Sequence, residues 1–427
     1  MVGMDDRSAI AWLARRVGFG LGPGELDTLA AVGVSTVLDH LLDPDGHGVA
    51  AAPDPWRSLD LAGYDPQDNA GLLRRASVEA WLAAMFVTPR PLEEWMRWFW
   101  HGHFVSTLAT VKDPRLMVAQ LRTLGAEAMG DFRTLLRAVT IDPAMLVYLD
   151  GTDSRIGEVN ENYGREVLEL FALGVGNYAE DDVRAGATAL TGWHVDRRDG
   201  TASFQPRFHD DSPQTYLGRS GVHDLDSVVD AIVAHESCAP FITAELSRAI
   251  LGPEVDDGLV EDLAKGFADS GLQIRPLVRS ILEAGIGGAG STMVMAPVTW
   301  AVASGRAAGV GPDDLGRSLL VSLRNAGQVP MAAPNVGGWP GGRAWLTSST
   351  TLTRVALAGR IASKAADDNP ARQAAASGDL AALADRLGRP SGFIPATADA
   401  LSALHAGGDT GVGVLAAALS SPDLVTG

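Results

Sequence analysis

Apolar residues recur every three or four positions along most of the chain, which is the spacing of one helix face. In the first such segment Ile10, Leu13 and Val17 lie on one side. The helical pattern continues to Gly192 and returns over residues 226–283. The spacing predicts a mainly α fold, a multi-helix globular bundle.

A short segment in the middle of the chain breaks this helical pattern. Alternating polar and apolar residues surround Asp199 and Gly200, a dipeptide typical of tight hairpin turns. The segment predicts a small β-ribbon inserted into the bundle over residues 193–218.

A second break covers residues 325–346, which are rich in Gly and Pro and carry Trp339 and Trp345. This composition predicts a loop, and the helical pattern resumes near Ser349. No segment has the composition of a linker between domains. We therefore expect residues 1–427 to form a single helical domain.

Composition allows a large core and argues against two classes of partner. Hydrophobic residues make up 46% of the 427 positions, so there is ample apolar material to bury. The formal net charge is −18, and no basic stripe is present. Such a surface repels a phosphate backbone and an anionic lipid surface, so we expect neither a nucleic acid nor a membrane as partner.

Cysteine content and the first residues bear on the compartment. Cys238 is the only cysteine, which excludes an intramolecular disulfide and disfavours a Cys-based zinc site. Arg15 and Arg16 form a twin-arginine pair, but glycines follow where an export signal has an apolar stretch. No run approaches the roughly 20 apolar residues of a membrane span. The sequence as given predicts a soluble, cytoplasmic protein.

The segment NENYGREVLEL contains a polar stripe. Asn162, Arg165, Glu166 and Glu169 fall at helical positions i, i+3, i+4 and i+7 and share one face. One interpretation is a solvated face with an ion pair between Glu161 and Arg165. The other is that Glu166 and Glu169 point into a cleft as metal ligands or as an acid/base pair.

Two histidines lie one residue apart in WMRWFWHGHF. On a helix, residues two apart point to nearly opposite sides, so His101 and His103 would not share a site. If the chain became extended at Gly102, both rings would lie on one side. The alternative is that the two histidines are buried in an aromatic core with backbone or carboxylate partners.

A third polar cluster is FHDD, in the loop after the predicted ribbon. His209 followed by Asp210 is suited to metal ligation, or to a base with an orienting carboxylate. A single His-Asp pair is weak support for either role.

Several blocks together resemble one known family. They are FWHGHF, DPAMLVYLDG, NENYGREVLELFALGVGNYAEDDVRAGATALTGW, HDDSPQTYLG and PNVGGWPGGRAW. In order and spacing the chain resembles, over nearly its whole length, the bacterial family catalogued as domain of unknown function eighteen-hundred.

The resemblance implies no settled activity. It implies that relatives are often exported and that their genes often lie beside one for a sulfatase-like protein. The first residues of the sequence as given do not have the pattern of an export signal, so we expect this chain to differ from the exported relatives. It also has Ala179 where the family pattern leads us to expect a threonine N-cap.

The family's hallmark blocks coincide with the polar clusters of this chain. We therefore expect these clusters to meet in one site, although the resemblance itself assigns no roles. The residues concerned are His101, His103, Asn160, Glu161, Asn162, Arg165, Glu166, Glu169, His209 and Asp210.

The leading hypothesis is a metal-dependent enzyme, with a hydrolase favoured, acting on a carbohydrate or an anionic small molecule. Imidazole and carboxylate ligands suit Zn, Fe or Mn. The predicted ligands are His101, His103, Glu166, Glu169, His209 and Asp210. The predicted catalytic residues are Glu161, Arg165 and Glu166. The predicted substrate-binding residues are Asn162, Trp339 and Trp345, although the two tryptophans equally suit a loop pinned to the core.

Two other functions remain open. The chain could be a non-catalytic partner of a sulfatase-like protein, in which case the polar residues would form a buried network that fixes helix register. Alternatively, one histidine in the tryptophan-rich segment could bind haem or another redox group.

Overall fold

Helices account for most of the computed structural model, which describes residues 3–409 and 411–426. Within those residues the chain forms 24 α-helices and two small antiparallel sheets. The mainly α class predicted from apolar spacing is therefore confirmed. The helices before the sheets are α1 Asp6–Val17, α2 Glu25–Val32, α3 Val34–Leu42, α4 Ala70–Val87, α5 Pro91–His103, α6 Leu108–Val111, α7 Pro114–Ala126, α8 Phe132–Thr140, α9 Pro143–Tyr148, α10 Glu161–Glu169 and α11 Glu180–Ala189.

The remaining helices follow the sheets. They are α12 Leu225–Val233, α13 Cys238–Leu251, α14 Asp257–Asp269, α15 Ile274–Ala284, α16 Pro297–Ala307, α17 Pro312–Leu315, α18 Arg317–Asn325, α19 Ser348–Lys364, α20 Pro370–Ser377, α21 Leu380–Arg386, α22 Pro395–Ala406, α23 Val412–Leu419 and α24 Pro422–Val425. The predicted loop between residues 325 and 346 is confirmed, because only a short 3₁₀ turn interrupts it, at Gly342–Trp345.

Side-chain caps set the start of the helices around the predicted polar stripe. Asp142 precedes Pro143, and its carboxylate accepts hydrogen bonds from the backbone of Ala144 at 2.9 Å and Met145 at 3.0 Å. Asn160 caps α10 by accepting from the backbone N–H of Tyr163 at 2.9 Å. The sequence predicts both caps, because Asp142 precedes a proline and Asn160 precedes a helical segment, and Asp and Asn satisfy the unpaired N–H groups of a first turn.

The C-terminal end of α10 differs from the prediction. The sequence predicts a helix that continues to Gly174, but α10 ends at Glu169. Beyond that point the N–H groups of Phe171 and Leu173 reach back five residues rather than four. This wider turn loosens the helix before Gly174 takes its left-handed conformation at φ 81°.

The predicted single ribbon is two hairpins. The first pairs β1 Trp193–Asp196 with β2 Thr201–Phe204. The second pairs β3 Gln214–Tyr216 with β4 Arg219–Val222, so strand structure extends beyond residue 218. In the second turn both central residues, at positions 217 and 218, have positive φ, as a two-residue hairpin requires.

Buried apolar residues from the whole length of the chain belong to one cluster, from Ile10 in α1 to Val425 in α24. The largest fully buried side chains include Trp56, Trp81 and Trp100. Early and late helices therefore cover a shared core. That the chain folds as one domain stays a prediction.

The 18-residue helix α4 is the longest one in the described ranges, and it carries Arg74, Arg75 and Glu79 among its apolar residues. One side packs into the core through Trp81 and Met85. No described helix is both long enough and apolar enough to cross a lipid bilayer.

Candidate active site

One face of α5 lines a cleft of about 920 Å³. Trp95, Trp98, Phe99 and His103 share this face because they follow each other at three- and four-residue spacing. Trp95 stacks on Phe99 with ring centroids 5.9 Å apart, and Phe99 stacks on His103 at 6.0 Å. The cleft wall is therefore a row of stacked rings, the type of surface that binds a ring-shaped ligand.

His101 points away from this cleft, because α5 remains helical to His103. Its ring is fully buried and lies edge-on to Trp81 at 5.2 Å and to Trp339 at 5.6 Å. Nε2 accepts the backbone N–H of Met331 at 3.2 Å. Burial lowers the pKa of His101 to about 3, so the ring is neutral. The extended H-x-H geometry that would unite the two histidines is absent from this helix.

His103 is held with one ring nitrogen available to the cleft. Its Nε2 lies 3.0 Å from the carbonyl oxygen of Phe171. A carbonyl accepts only, so Nε2 carries the proton and Nδ1 carries the lone pair. Nδ1 makes no hydrogen bond with any described residue. Burial lowers the pKa of His103, while the hydrogen bond to Phe171 and the charge of Glu245 act in the opposite direction. The ring is therefore a neutral base at pH 7.

The two carboxylates of the predicted stripe lie in different environments. Glu169 lines the cleft and accepts a hydrogen bond from the hydroxyl of Tyr178. Glu166 is half-buried outside the cleft lining. Burial and then the charge of Glu169 raise the pKa of Glu166. Only Glu169 of this pair is positioned to contact a ligand in the cleft.

The predicted ion pair within α10 does not form. Arg165 instead pairs with Glu180 of α11, with Nη1 3.1 Å from Oε2. Glu161 accepts from Nε of Arg184, also in α11, at 2.9 Å. Asn162 is exposed and does not line the cleft. This part of the stripe therefore ties α10 to its neighbour rather than facing a ligand.

Helix α13 supplies cleft residues that the sequence analysis missed. Phe241, Glu245, Arg248 and Ala249 recur at helical spacing and line the same cleft. Arg248 donates to Glu245 at 3.2 Å. The spacing was visible in the sequence, but no motif distinguished this charged face from an ordinary solvated one. Cys238, at the start of the same helix, is fully buried in the core.

The loop of residues 325–346 closes over α5. Trp339 stacks on Trp98 with centroids 5.1 Å apart, and both rings line the cleft. Gly338 has φ 83°, and a Cβ atom there would lie 2.6 Å from the carbonyl oxygen of Gly102. Glycine is required because the loop backbone contacts the helix directly.

Trp345 is only 3% exposed, although it also lines the cleft. Its carbonyl accepts from the hydroxyl of Thr350 at 2.7 Å and from Nη1 of Arg354 at 2.8 Å. Both tryptophans therefore border the cleft, and substrate binding by Trp339 and Trp345 stays a prediction.

The FHDD cluster lies elsewhere. Nδ1 of His209 is 3.0 Å from the carbonyl oxygen of Thr191, and the ring lies edge-on to Phe204 at 5.0 Å. Asp210 accepts from the backbone N–H of Ser212 at 3.1 Å, a local turn contact. Neither His209 nor Asp210 lines the cleft. The pair connects the first hairpin to the end of α11.

The predicted metal ligands do not form one centre. Of the candidate residues, His103 and Glu169 border the cleft, whereas His101 is in the core and the His209 pair is beside the first hairpin. Across residues 3–409 and 411–426, no group of three or more His, Cys, Asp or Glu side chains is arranged to hold a metal ion. Metal binding therefore stays a prediction.

Comparison with known proteins gives one match. A family model described as "Protein of unknown function (DUF1800)" matches residues 12–425. No curated protein and no solved structure matches the chain.

Proposed function

This chain belongs to the DUF1800 family of proteins of unknown function, and we propose that it is a hydrolase that acts on a carbohydrate bound in the tryptophan-lined cleft. The observation that carries the proposal is the arrangement of His103. Its Nε2 donates a hydrogen bond to the carbonyl oxygen of Phe171, and its Nδ1 makes no hydrogen bond with a described residue. A neutral, oriented imidazole beside a ring-binding surface is suited to general acid/base work.

Nδ1 of His103 accepts a proton from a water molecule while the oxygen of that water bonds to the substrate carbon and the bond from the carbon to the leaving oxygen breaks. A second water molecule, on the opposite face of the sugar, gives a proton to the leaving oxygen. The hydroxide left behind takes the proton of the imidazolium, so atoms and charges balance. The carboxylate of Glu245 is close enough to favour the positive charge that His103 carries between the two steps.

Glu169 contributes a second polar group to the same cleft. One of its carboxylate oxygens accepts the hydroxyl of Tyr178, which holds the side chain in place. Carboxylates accept hydrogen bonds from hydroxyl groups, so Glu169 is suited to bind the hydroxyls of a sugar ring. The stacked rings of Trp98 and Trp339 supply the apolar surface on which the ring lies.

The test separates binding from turnover. Oligosaccharides that bind the protein on a glycan array would be incubated with it and analysed for cleavage by mass spectrometry. We expect His103→Asn to retain binding and to lose at least about 100-fold of the cleavage rate, the usual contribution of a general base. His209→Asn is the matched control, because it removes a half-buried imidazole outside the cleft. Unchanged cleavage by folded His103→Asn would exclude the proposed role.

A second candidate function is binding of a partner protein, such as a sulfatase-like protein. A separate groove of about 650 Å³ between α13 and α14 favours it. Apolar residues including Pro240, Val260 and Ala264 line the groove, and Arg133 and Lys265 border it. Size-exclusion chromatography with the candidate partner tests this function: Ala268→Arg, in the groove lining, should prevent co-elution if the groove is the interface.

A further inference from the structure

The cleft extends along α13, from the catalytic histidine to the helix's C-terminal end. His103 lies beside Phe241, with ring centroids 6.0 Å apart. Nine residues further along, the carbonyl oxygen of Ile250 accepts from Nη1 of Arg16 at 3.1 Å. At 1.5 Å per residue these points are about 14 Å apart along the helix. Arg15 and Arg16 line the cleft, and they mark what we call its arginine end.

Arg15 carries a charge that no carboxylate balances. Its guanidinium donates to the carbonyl of Gly388, and its Nε is buried without an acceptor. No ion pair involves Arg15 in the described ranges. Burial, and then the positive charges of Arg389 and Arg16, lower the pKa of Arg15 to about 9. A buried charge in these surroundings is destabilising unless an anion accompanies it.

A second arginine in the cleft is also unpaired. Arg343 is exposed on the loop that carries Trp339 and Trp345. Its guanidinium makes no hydrogen bond or ion pair with any described residue. A buried arginine and an exposed arginine that line one cleft, neither with a carboxylate partner among the described residues, offer guanidinium donors to an anion.

We propose that Arg15 and Arg343 bind an anionic group of the substrate, a carboxylate or a sulfate, and that the substrate is an acidic oligosaccharide. This inference rests on the proposed hydrolase function. A guanidinium presents parallel N–H donors that match two oxygens of either anion. The distance along α13 places the arginine end away from His103, so the anionic group that Arg15 binds belongs to a different sugar residue from the one that reacts.

The experiment measures binding with turnover removed. His103→Asn protein would be applied to matched oligosaccharides that are neutral, uronic-acid-containing or sulfated. We expect the acidic members to bind at least about tenfold more tightly than the neutral ones, the effect of one charge-assisted hydrogen bond. Adding Arg343→Gln to the His103→Asn protein should remove this preference for acidic oligosaccharides. Arg324→Gln, which removes an exposed guanidinium outside the cleft, should leave it intact.

Arg15→Gln provides a second test, with circular dichroism to establish that the variant folds. Preference for uronic acids alone or for sulfated sugars alone would support the inference and identify the anion. Equal or tighter binding of neutral members would overturn it and leave the hydrolase proposal standing. A preference that survives Arg343→Gln and a folded Arg15→Gln would also overturn it. Failure of the hydrolase proposal would be seen in a different measurement, as unchanged oligosaccharide cleavage by folded His103→Asn protein.

Discussion

The buried imidazole of His101 links the stability of this protein to pH. Burial lowers its pKa to about 3 in the folded chain, against an ordinary value of 6.5. Between these values the unfolded state binds more protons, so stability falls as pH falls below 6.5. Asp142 acts oppositely, because burial raises its pKa to about 7 and its folded form binds more protons over a similar interval.

Comparison with a variant isolates the histidine. In His101→Gln the amide oxygen replaces Nε2 as acceptor for the backbone of Met331, and no proton is taken up. We expect the wild type to lose roughly 2 kcal/mol more stability than this variant between pH 7 and pH 5. Urea denaturation at the two pH values measures the difference. Equal losses in both proteins would show that His101 is not buried and neutral as described.

Helix α11 begins without a side-chain cap. Ala179 precedes α11 in an extended conformation, at φ −99° and ψ 161°. Its own N–H donates to the carboxylate of Asp182 at 2.8 Å, but alanine has no oxygen to accept a bond in return. Ala179→Thr should therefore raise the free energy of unfolding by about 1 kcal/mol. Ala179→Val, which adds similar bulk without a hydroxyl, should give no such gain in urea denaturation.

At the scale of elements, close contact between α10 and α11 positions Glu169. A Cβ atom at Gly164 would lie 2.7 Å from the carbonyl oxygen of Val183 and 3.0 Å from the Cβ of Ala187. The two helices can therefore approach only because residue 164 is glycine. The ion pairs from Arg165 and Glu161 to α11 lie across the same interface.

This contact reverses the effect on stability that replacing a helical glycine by alanine usually has. Alanine normally stabilises a helix by up to about 1 kcal/mol over glycine. We expect Gly164→Ala to destabilise instead, by about 1–3 kcal/mol, because the added methyl overpacks the interface. Gly266→Ala in α14 is the matched control, since nothing lies within 4 Å of its would-be Cβ and it should be stabilising. Chemical denaturation of both variants measures whether each substitution raises or lowers the free energy of unfolding. A stabilised Gly164→Ala would contradict the close approach of the two helices.

Helix periodicity explains why the two histidines have separate roles. The sequence left two conformations open at Gly102, and the structure keeps α5 helical through His103. The Gly338 backbone packs on the Gly102 carbonyl, and Trp339 stacks on Trp98. The loop therefore covers the His101 side of the helix while its tryptophans border the cleft on the His103 side.

In the whole molecule, the polar clusters that are far apart in the sequence do not all meet. Glu166 and His209 were predicted to share a metal, yet neither lines the cleft. We expect inductively coupled plasma mass spectrometry to find the same metal content in the parent, Glu166→Gln and His209→Gln proteins. Stoichiometric Zn, Fe or Mn in the parent that both folded variants lose would contradict this arrangement and restore the predicted metal centre.

Features that depend on neighbours along the chain could be predicted from the sequence. Apolar spacing gave the mainly α class, and the caps at Asp142 and Asn160 follow from side chains that reach only their own first turns. Gly and Pro density located the loop that carries Trp339 and Trp345. Segments such as FWHGHF and PNVGGWPGGRAW were sufficient to recognise the family whose model matches residues 12–425.

Which side chains meet could not be predicted from the sequence, because it depends on how helices far apart in the chain pack in the folded protein. It joined His103 of α5 to Glu169 of α10 and Glu245 of α13 in one cleft and left His209 outside. Periodicity places a residue on a helix face, but it does not say which neighbour covers that face. No sequence pattern therefore distinguished the charged face of α13, and the fold made it part of the lining of the candidate site.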